Sequence, residues 1–305
     1  MIAVIEDVLG CRTVKTRMIL SSAAVVGVTV AAGCGNGAKT TGSGPRKVVA
    51  SFYPLAYAAQ EIGGPAVAVE NLTPAGAEPH DLELTPGDVR DVERADLVLF
   101  LGSGFQPALE HAVADREGRS VDLLAGQQTR RGIGADGRPA VDPHVWLDPV
   151  RYEGMARRIA RALGEVSRAR SLVARLRALD RVYRNGFARC DRREIVTSHA
   201  AFGYLAARYG LRQVPLEGLA PEAEPSPRAL ERLVDEVRAT HATTVFFETL
   251  VSPKLARTVA REAGARTAVL DPLEGLTADE QRRGETYFTV MRRNLATLRS
   301  ALGCH

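Results

Sequence analysis

SRARSLVARLRALDRVYRNGFARC, residues 167 to 190, decides how the rest of the chain is read. Leu172, Leu176, Leu179, Tyr183 and Phe187 recur three or four residues apart, which places them on one side of a helix. No proline and only one late glycine interrupt the run, and Ser167 is suited to cap its start. The pattern predicts one helix of roughly 30 Å at 1.5 Å per residue. On both sides of it, short β-branched runs alternate with helical patterns. Before it, KVVAS leads to PLAYAAQEIGG, VAVENLTP to GDVRDVERA, DLVLFLGS to FQPALEHAVA, and then RSVDLL. A Gly-rich stretch from Ala125 to Ala140 follows, and a helix begins behind Pro149. After the long helix, EIVTSH leads to AAFGYLAARYG, RQVPLEG to SPRALERLVDEVRATH, TTVFFET to SPKLARTVAREAG, and RTAVLDP to a last helix from Thr277 to about Leu302. Strand, helix, strand in this rhythm implies parallel sheets with helices on both faces. The fold class is therefore α/β, with an amino-terminal lobe over 46–166, a rigid linking helix over 167–189 and a carboxyl-terminal lobe over 190–305.

Composition supports a globular body: 45% hydrophobic and 25% charged residues in 305. The formal charge is +4, but the arginines lie beside Asp and Glu along helices, as in RALERLVDEVRATH. No block of like charge appears, which excludes a nucleic-acid partner as the working reading. The amino terminus differs in kind. RTVKTR is followed by MILSSAAVVGVTVAAG, uncharged and shorter than the ~20 residues of a spanning helix. That pattern predicts a signal peptide over 1–33, with Val14 as the expected true start. It ends in AAGC, which resembles a bacterial lipobox with Ala31 where Leu usually stands, and so predicts lipidation of Cys34. Residues 34–45, with GNGAKTTGSGP, then form a flexible tether. The localisation that follows is the outer face of the cytoplasmic membrane, by lipid anchor. Export leaves Cys190 and Cys304 in an oxidising compartment, where a Cys190–Cys304 disulfide is expected.

Six histidines remain to be sorted. His111 and His241 sit in or at the end of amphipathic helices, and His305 is the last residue. His80 and His144 stand in similar proline-stiffened loops, EPHDLELTP and DPHVWLDP. His199 ends EIVTSH, and Asp271 ends RTAVLDP. In open parallel sheets, ligands bind beyond the carboxyl ends of the strands. His80, His144, His199 and Asp271 all occupy such positions, two in each half. Three imidazoles and one carboxylate form a closed set suited to tetrahedral Zn²⁺. The bland reading of the two proline-stiffened loops is two ordinary turns whose histidines face water.

Several stretches, in order from Lys47 to Leu302, resemble the substrate-binding lipoproteins of zinc and manganese ABC transporters. They are VVASFYPLAYAAQEIGG, PHDLELTPGDVRDVERADLVLFLG, PHVWLDP, IVTSHAAFGYLAARYGL, PEAEPSP, FFETLVSPKLA and VLDPLEGLT. The resemblance implies two α/β lobes bridged by the long helix, with metal held between them by the same four residues. It also implies a membrane permease and a cytoplasmic ATPase as partners, and a monomeric receptor rather than an enzyme. Manganese receptors of this family tend to have a carboxylate where His199 stands, so histidine there points to Zn²⁺ as the transported ligand. Here GQQTRRGIGADGRPA has no histidine and one acid, unlike the His-rich loop of many zinc receptors. Asp81, Asp148 and Glu248 are candidates to orient the imidazoles. The alternatives are a Mn²⁺ or Fe²⁺ receptor of the same fold, and a zinc hydrolase, which would need an open coordination position.

Overall fold

A computed structural model describes residues 44–134, 136–221 and 226–305. The expected signal peptide, Cys34 and nearly all of the tether lie outside the described residues. Among the described residues, ten strands and ten α-helices follow one another in the expected rhythm. The first half contains β1 (Arg46–Ala50), α1 (Tyr53–Gly63), β2 (Val67–Asn71), α2 (Pro86–Arg94), β3 (Leu97–Phe100), α3 (Pro107–Ala114) and β4 (Ser120–Asp122). A hairpin of β5 (Arg131–Ile133) and β6 (Pro139–Val141) occupies the Gly-rich stretch, followed by α4 (Pro149–Leu163) and the linking helix α5 (Ala169–Gly186). The second half contains β7 (Glu194–Thr197), α6 (Gly203–Tyr209), β8 (Arg212–Pro215), α7 (Pro227–Ala239), β9 (Thr244–Phe247), α8 (Lys254–Ala263), β10 (Arg266–Val269), α9 (Ala278–Arg282) and α10 (Tyr287–Leu302).

The strands form two four-stranded sheets, ordered β2-β1-β3-β4 and β10-β9-β7-β8. Every pairing within them is parallel. Alternation along each strand explains why helices cover both faces. Val48, Ala50, Leu97 and Leu99 point into the main core, while Val49 and Val98 point the other way, to Val92 of α2 and Leu109 of α3. In the second sheet Ile195 and Phe246 enter the main core, and Val196 and Val245 meet Val234, Val237 and Val259 of α7 and α8. The main core therefore runs without a break from one sheet to the other.

Helix α5 is part of that continuity. Leu172, Leu176, Leu179 and Tyr183 are buried along it, and the Tyr183 hydroxyl donates to the Met291 carbonyl of α10 at 2.6 Å. Each fully buried leucine contributes about 1.5–3 kcal/mol. Two expectations need correction. Ser167 does not cap α5: Arg168 holds that position in helical geometry, and no side chain accepts there. The backbone amides of Arg168 and Ala169 already donate to Glu165, so the turn out of α4 supplies the satisfaction that a serine oxygen would have given. The last helix is also two helices. Gly284 adopts φ 68 and reverses the chain, and Thr286 then caps α10 by accepting from Thr289. The helix-favouring residues Glu280 to Arg283 run up to this glycine, so the local pattern alone does not mark the break.

Cys190 and Cys304 are joined by a disulfide, as expected. Backbone bonds from Asp191 to Gly303 and from Arg192 to Leu302 zip the segment after α5 against the carboxyl terminus. Among the described residues no helix is long and apolar enough to cross a membrane.

Candidate metal centre

Parallel strands deliver the loops after β2, β7 and β10 to the same edge of their sheets. His80 sits in a single helical turn, Pro79–Asp81, after β2. The Glu78 side chain accepts from the His80 amide at 3.2 Å, which fixes the backbone of that turn. His144 precedes a second such turn, Val145–Leu147, whose three residues are buried. Trp146 anchors it by donating from Nε1 to the Pro272 carbonyl at 2.8 Å, across to the loop after β10. His199 begins another single turn after β7, and Glu274 lies on the loop between β10 and α9.

One donor atom from each of His80, His144, His199 and Glu274 falls within 4.8 Å of the others. Glu274 Oε1 lies 3.4 Å from His80 Nε2, 3.1 Å from His144 Nε2 and 3.3 Å from His199 Nε2. The two imidazole nitrogens of His144 and His199 are 3.3 Å apart. Zinc bonds of 2.0–2.1 Å in a tetrahedron demand donor separations of about 3.3 Å. The second oxygen of Glu274 is buried with no hydrogen-bond partner among the described residues, and so is His80 Nε2. Such orphaned groups cost about 1–3 kcal/mol each, a penalty that a cation among them removes. The donor set therefore fits a zinc ion.

Carboxylates behind the rings select which nitrogen faces inward. Asp142 Oδ1 accepts from both the His144 amide and its Nδ1, each at 2.9 Å. Glu248 Oε1 accepts from His199 Nδ1 at 2.6 Å and from the Ser198 hydroxyl. Both rings are thereby held with Nε2 toward the cluster. The His80 ring is set edge-on against Phe105, with centroids 4.8 Å apart.

The charges follow from this packing. Burial lowers His80, opposed by Glu274. Burial would lower His199 too, but Glu248 and Glu274 overcome it and hold the ring well above its ordinary value. His144 is raised for the same kind of reason: Asp142 and Glu274 outweigh its burial. Glu274, although fully buried, is pulled well below the carboxylate range by His199, His144 and His80. Without metal, the cluster is thus a buried carboxylate among imidazoles that share its proton-borne charge. Glu78 is pushed up to about 8 by burial and by Glu274.

Three of the four expected residues meet in this cluster. The fourth member is Glu274, and Asp271 stands outside it. Asp271 turns back instead: its Oδ1 accepts from the Leu273 amide at 2.7 Å, and Oδ2 lies 3.4 Å from Arg293. Asn294 brackets the Asp271 backbone, accepting from its amide and donating to its carbonyl. Leu273 then takes a left-handed φ of 56, which swings the next residue toward the histidines. Burial pushes Asp271 up to about 7. Of the orienting candidates, Glu248 has the expected place, whereas Asp148 caps α4 and pairs with Arg208, and Asp81 is exposed. Asp142 was not among the candidates, although it stands two residues before His144 in DPHVWLDP. Glu274 was equally within view in VLDPLEGLT.

Residues 48–301 match the family model described as zinc-uptake complex component A, periplasmic. The chain belongs to this family. It is 34% identical over 298 residues to the high-affinity zinc uptake system protein ZnuA of Bacillus subtilis, covering 89% of this chain and 93% of that protein. It is 33% identical over 287 residues to the zinc-binding protein AdcA of Streptococcus pyogenes, covering 84% of this chain but only 56% of AdcA. Among solved structures, the Zn(II)-bound ZnuA-like domain of Streptococcus pneumoniae AdcA superposes with a TM-score of 0.73 at 32% identity, covering 85% of this chain and 99% of that domain. The laminin-binding protein Lmb of Streptococcus agalactiae, described as an adhesin with metal-transporting activity, gives 0.76 at 30% identity, covering 85% and 99%. Membership in the family accords with the α/β architecture and with a buried histidine cluster at the sheet edges.

Proposed function

We propose that the chain is the extracytoplasmic receptor of a zinc-uptake ABC transporter, capturing Zn²⁺ as cargo between its two sheets and passing it to a membrane permease driven by a cytoplasmic ATPase. The ligands in this reading are His80, His144, His199 and Glu274. One observation carries it: four donor atoms lie within 4.8 Å of one another, with Glu274 Oε1 3.1–3.4 Å from each imidazole Nε2, close to the edge length of a zinc tetrahedron. Three imidazoles favour zinc over manganese, which prefers oxygen donors and more of them. All four donors are protein atoms, so a zinc held here has no vacant tetrahedral position at which to activate water, and the chain acts as a receptor rather than an enzyme.

In this reading 46–166 and 190–305 act as lobes linked by α5. The core they share limits cargo release to local movements of the loops after β2 and β10 rather than a wide rotation. The basic run followed by AAGC supports a receptor held at the outer face of the cytoplasmic membrane by lipid on Cys34, acting in this reading as a monomer. The test is metal content and competitive titration of the processed chain with Zn²⁺ and Mn²⁺, alongside His199→Ala. One tightly held zinc, poorly displaced by manganese and weakened by the substitution, is the expected result. Preference for manganese, or zinc affinity indifferent to His199, refutes the reading.

A further inference from the structure

One flank of the first half carries a second feature, which begins at the end opposite the histidine cluster and runs along α4 and α5. Because β1 starts at Arg46 and the cluster lies beyond the strands' carboxyl ends, the start of β1 and the cluster mark opposite edges of the sheet. At the starting edge the Arg46 side chain donates to the Leu163 carbonyl at the end of α4, and Arg168 reaches the carbonyl of Gly63. Beside that point α4 and α5 frame a shallow groove of about 350 Å³. Its lining includes Val166, 61% exposed, with Ala169 and Val173, and it is ringed by Arg157, Arg170, Arg177 and Arg181. Arg161, one turn after Arg157, extends the basic rim. The opposing acids are few. Glu153 serves both Arg157 and Arg177, and Glu165 serves Arg168. Arg170 and Arg181 are exposed and make no ion pair among the described residues.

We propose that this groove docks the body onto anionic phospholipid headgroups, with its exposed valine seated among them and its arginines on their phosphates. The inference rests on the reading that a lipid on Cys34 tethers the chain. Eleven residues separate Cys34 from Arg46, whose side chain is bonded to the Leu163 carbonyl beside one end of the groove, so the tether leads first to this basic surface. Docked along this flank, the histidine cluster stays outside the contact. Engaging the permease then requires the body to leave the lipid surface, and a weak, charge-based contact permits it.

The experiment is co-sedimentation of the chain from residue 34, with Cys34→Ser, with vesicles of phosphatidylcholine alone or with phosphatidylglycerol added. Binding to the anionic vesicles only, lost at high salt, is expected. Arg170→Ala/Arg181→Ala should weaken it about 30-fold, at roughly 1 kcal/mol for each arginine near the surface. Arg228→Ala/Arg232→Ala on α7 removes the same charge elsewhere and should leave binding within a few-fold. Equal losses in both variants would reduce the effect to net charge and overturn the proposal, as would no binding to anionic vesicles. Self-association abolished by the first variant, without vesicle binding, would assign the groove to a second copy instead. Zinc titration of the same wild-type body separates docking from the receptor reading: no vesicle binding with zinc binding intact sinks only the docking, and the converse sinks only the receptor, while mass spectrometry of the unsubstituted chain for lipid on Cys34 tests the tether by itself.

Discussion

Glu248→Gln tests whether the carboxylate behind the ligand is as important as the ligand. Glu248 accepts from His199 Nδ1 at 2.6 Å, so the substitution keeps shape and removes a charge from a fully buried pair. Losing a carboxylate of this kind costs 10–100-fold in metal affinity, or about 1.4–2.7 kcal/mol. A second effect opposes it. Glu248 also holds the metal-free His199 well above its ordinary value, so zinc must displace a proton from the wild-type ring at neutral pH. The sign is fixed: a raised imidazole competes with metal more strongly as pH falls, and the variant, with a less raised ring, suffers this competition less. The affinity ratio of wild type to variant should therefore be largest near pH 8 and shrink toward pH 6. Competition against a fluorescent chelator at both values measures it. Calorimetry in two buffers of different ionisation enthalpy should also show wild type releasing about one proton per zinc at pH 7, and the variant less. A ratio that grows as pH falls, or equal affinities at pH 8, would refute the argument.

Other outcomes follow from the same geometry. Glu274→Ala should abolish tight zinc binding, whereas Asp271→Asn should leave affinity within tenfold, because its carboxyl caps Leu273 instead of facing the histidines; the reverse order in a zinc titration would restore Asp271 as the ligand. Trp146 is the only tryptophan, and its ring centroid lies 5.1 Å from that of His144. Zinc should perturb its emission, a signal that Trp146→Phe removes, and the variant should lose about 1–3 kcal/mol in denaturant melts because the Pro272 carbonyl loses its donor. Cys190→Ser/Cys304→Ser opens a loop spanning 114 residues and should lower unfolding stability by about 2–5 kcal/mol, with zinc stoichiometry unchanged.

Much of this site was legible without coordinates. His80, His144 and His199 stood after strands or in proline-bound loops, and parallel strands can only deliver such loops to one edge of a sheet. The alternation in VVA and IVT reported sheets covered on both faces, and the α5 stripe reported a helix buried along one side. Errors arose where local chemistry had two valid answers. Ser167 and the turn through Glu165 could each satisfy the start of α5, and helix-favouring residues flanked the glycine that breaks the last helix.

The fourth member of the cluster shows the division most clearly. Sequence confined it to the loop after β10, where Asp271 and Glu274 are three residues apart and carry the same group. Nothing in their spacing says which carboxylate faces the imidazoles. That is decided by contacts from distant parts of the chain: Asn294 and Arg293 of α10 hold Asp271 back, and the Trp146 indole fixes Pro272. Leu273 then adopts a left-handed turn that only such packing sustains, and Glu274 is delivered to the histidines. Residue types and strand order are local properties and survive in the sequence. Which of two equivalent side chains points inward depends on partners from 22 to 126 residues away, and only the folded chain brings them together.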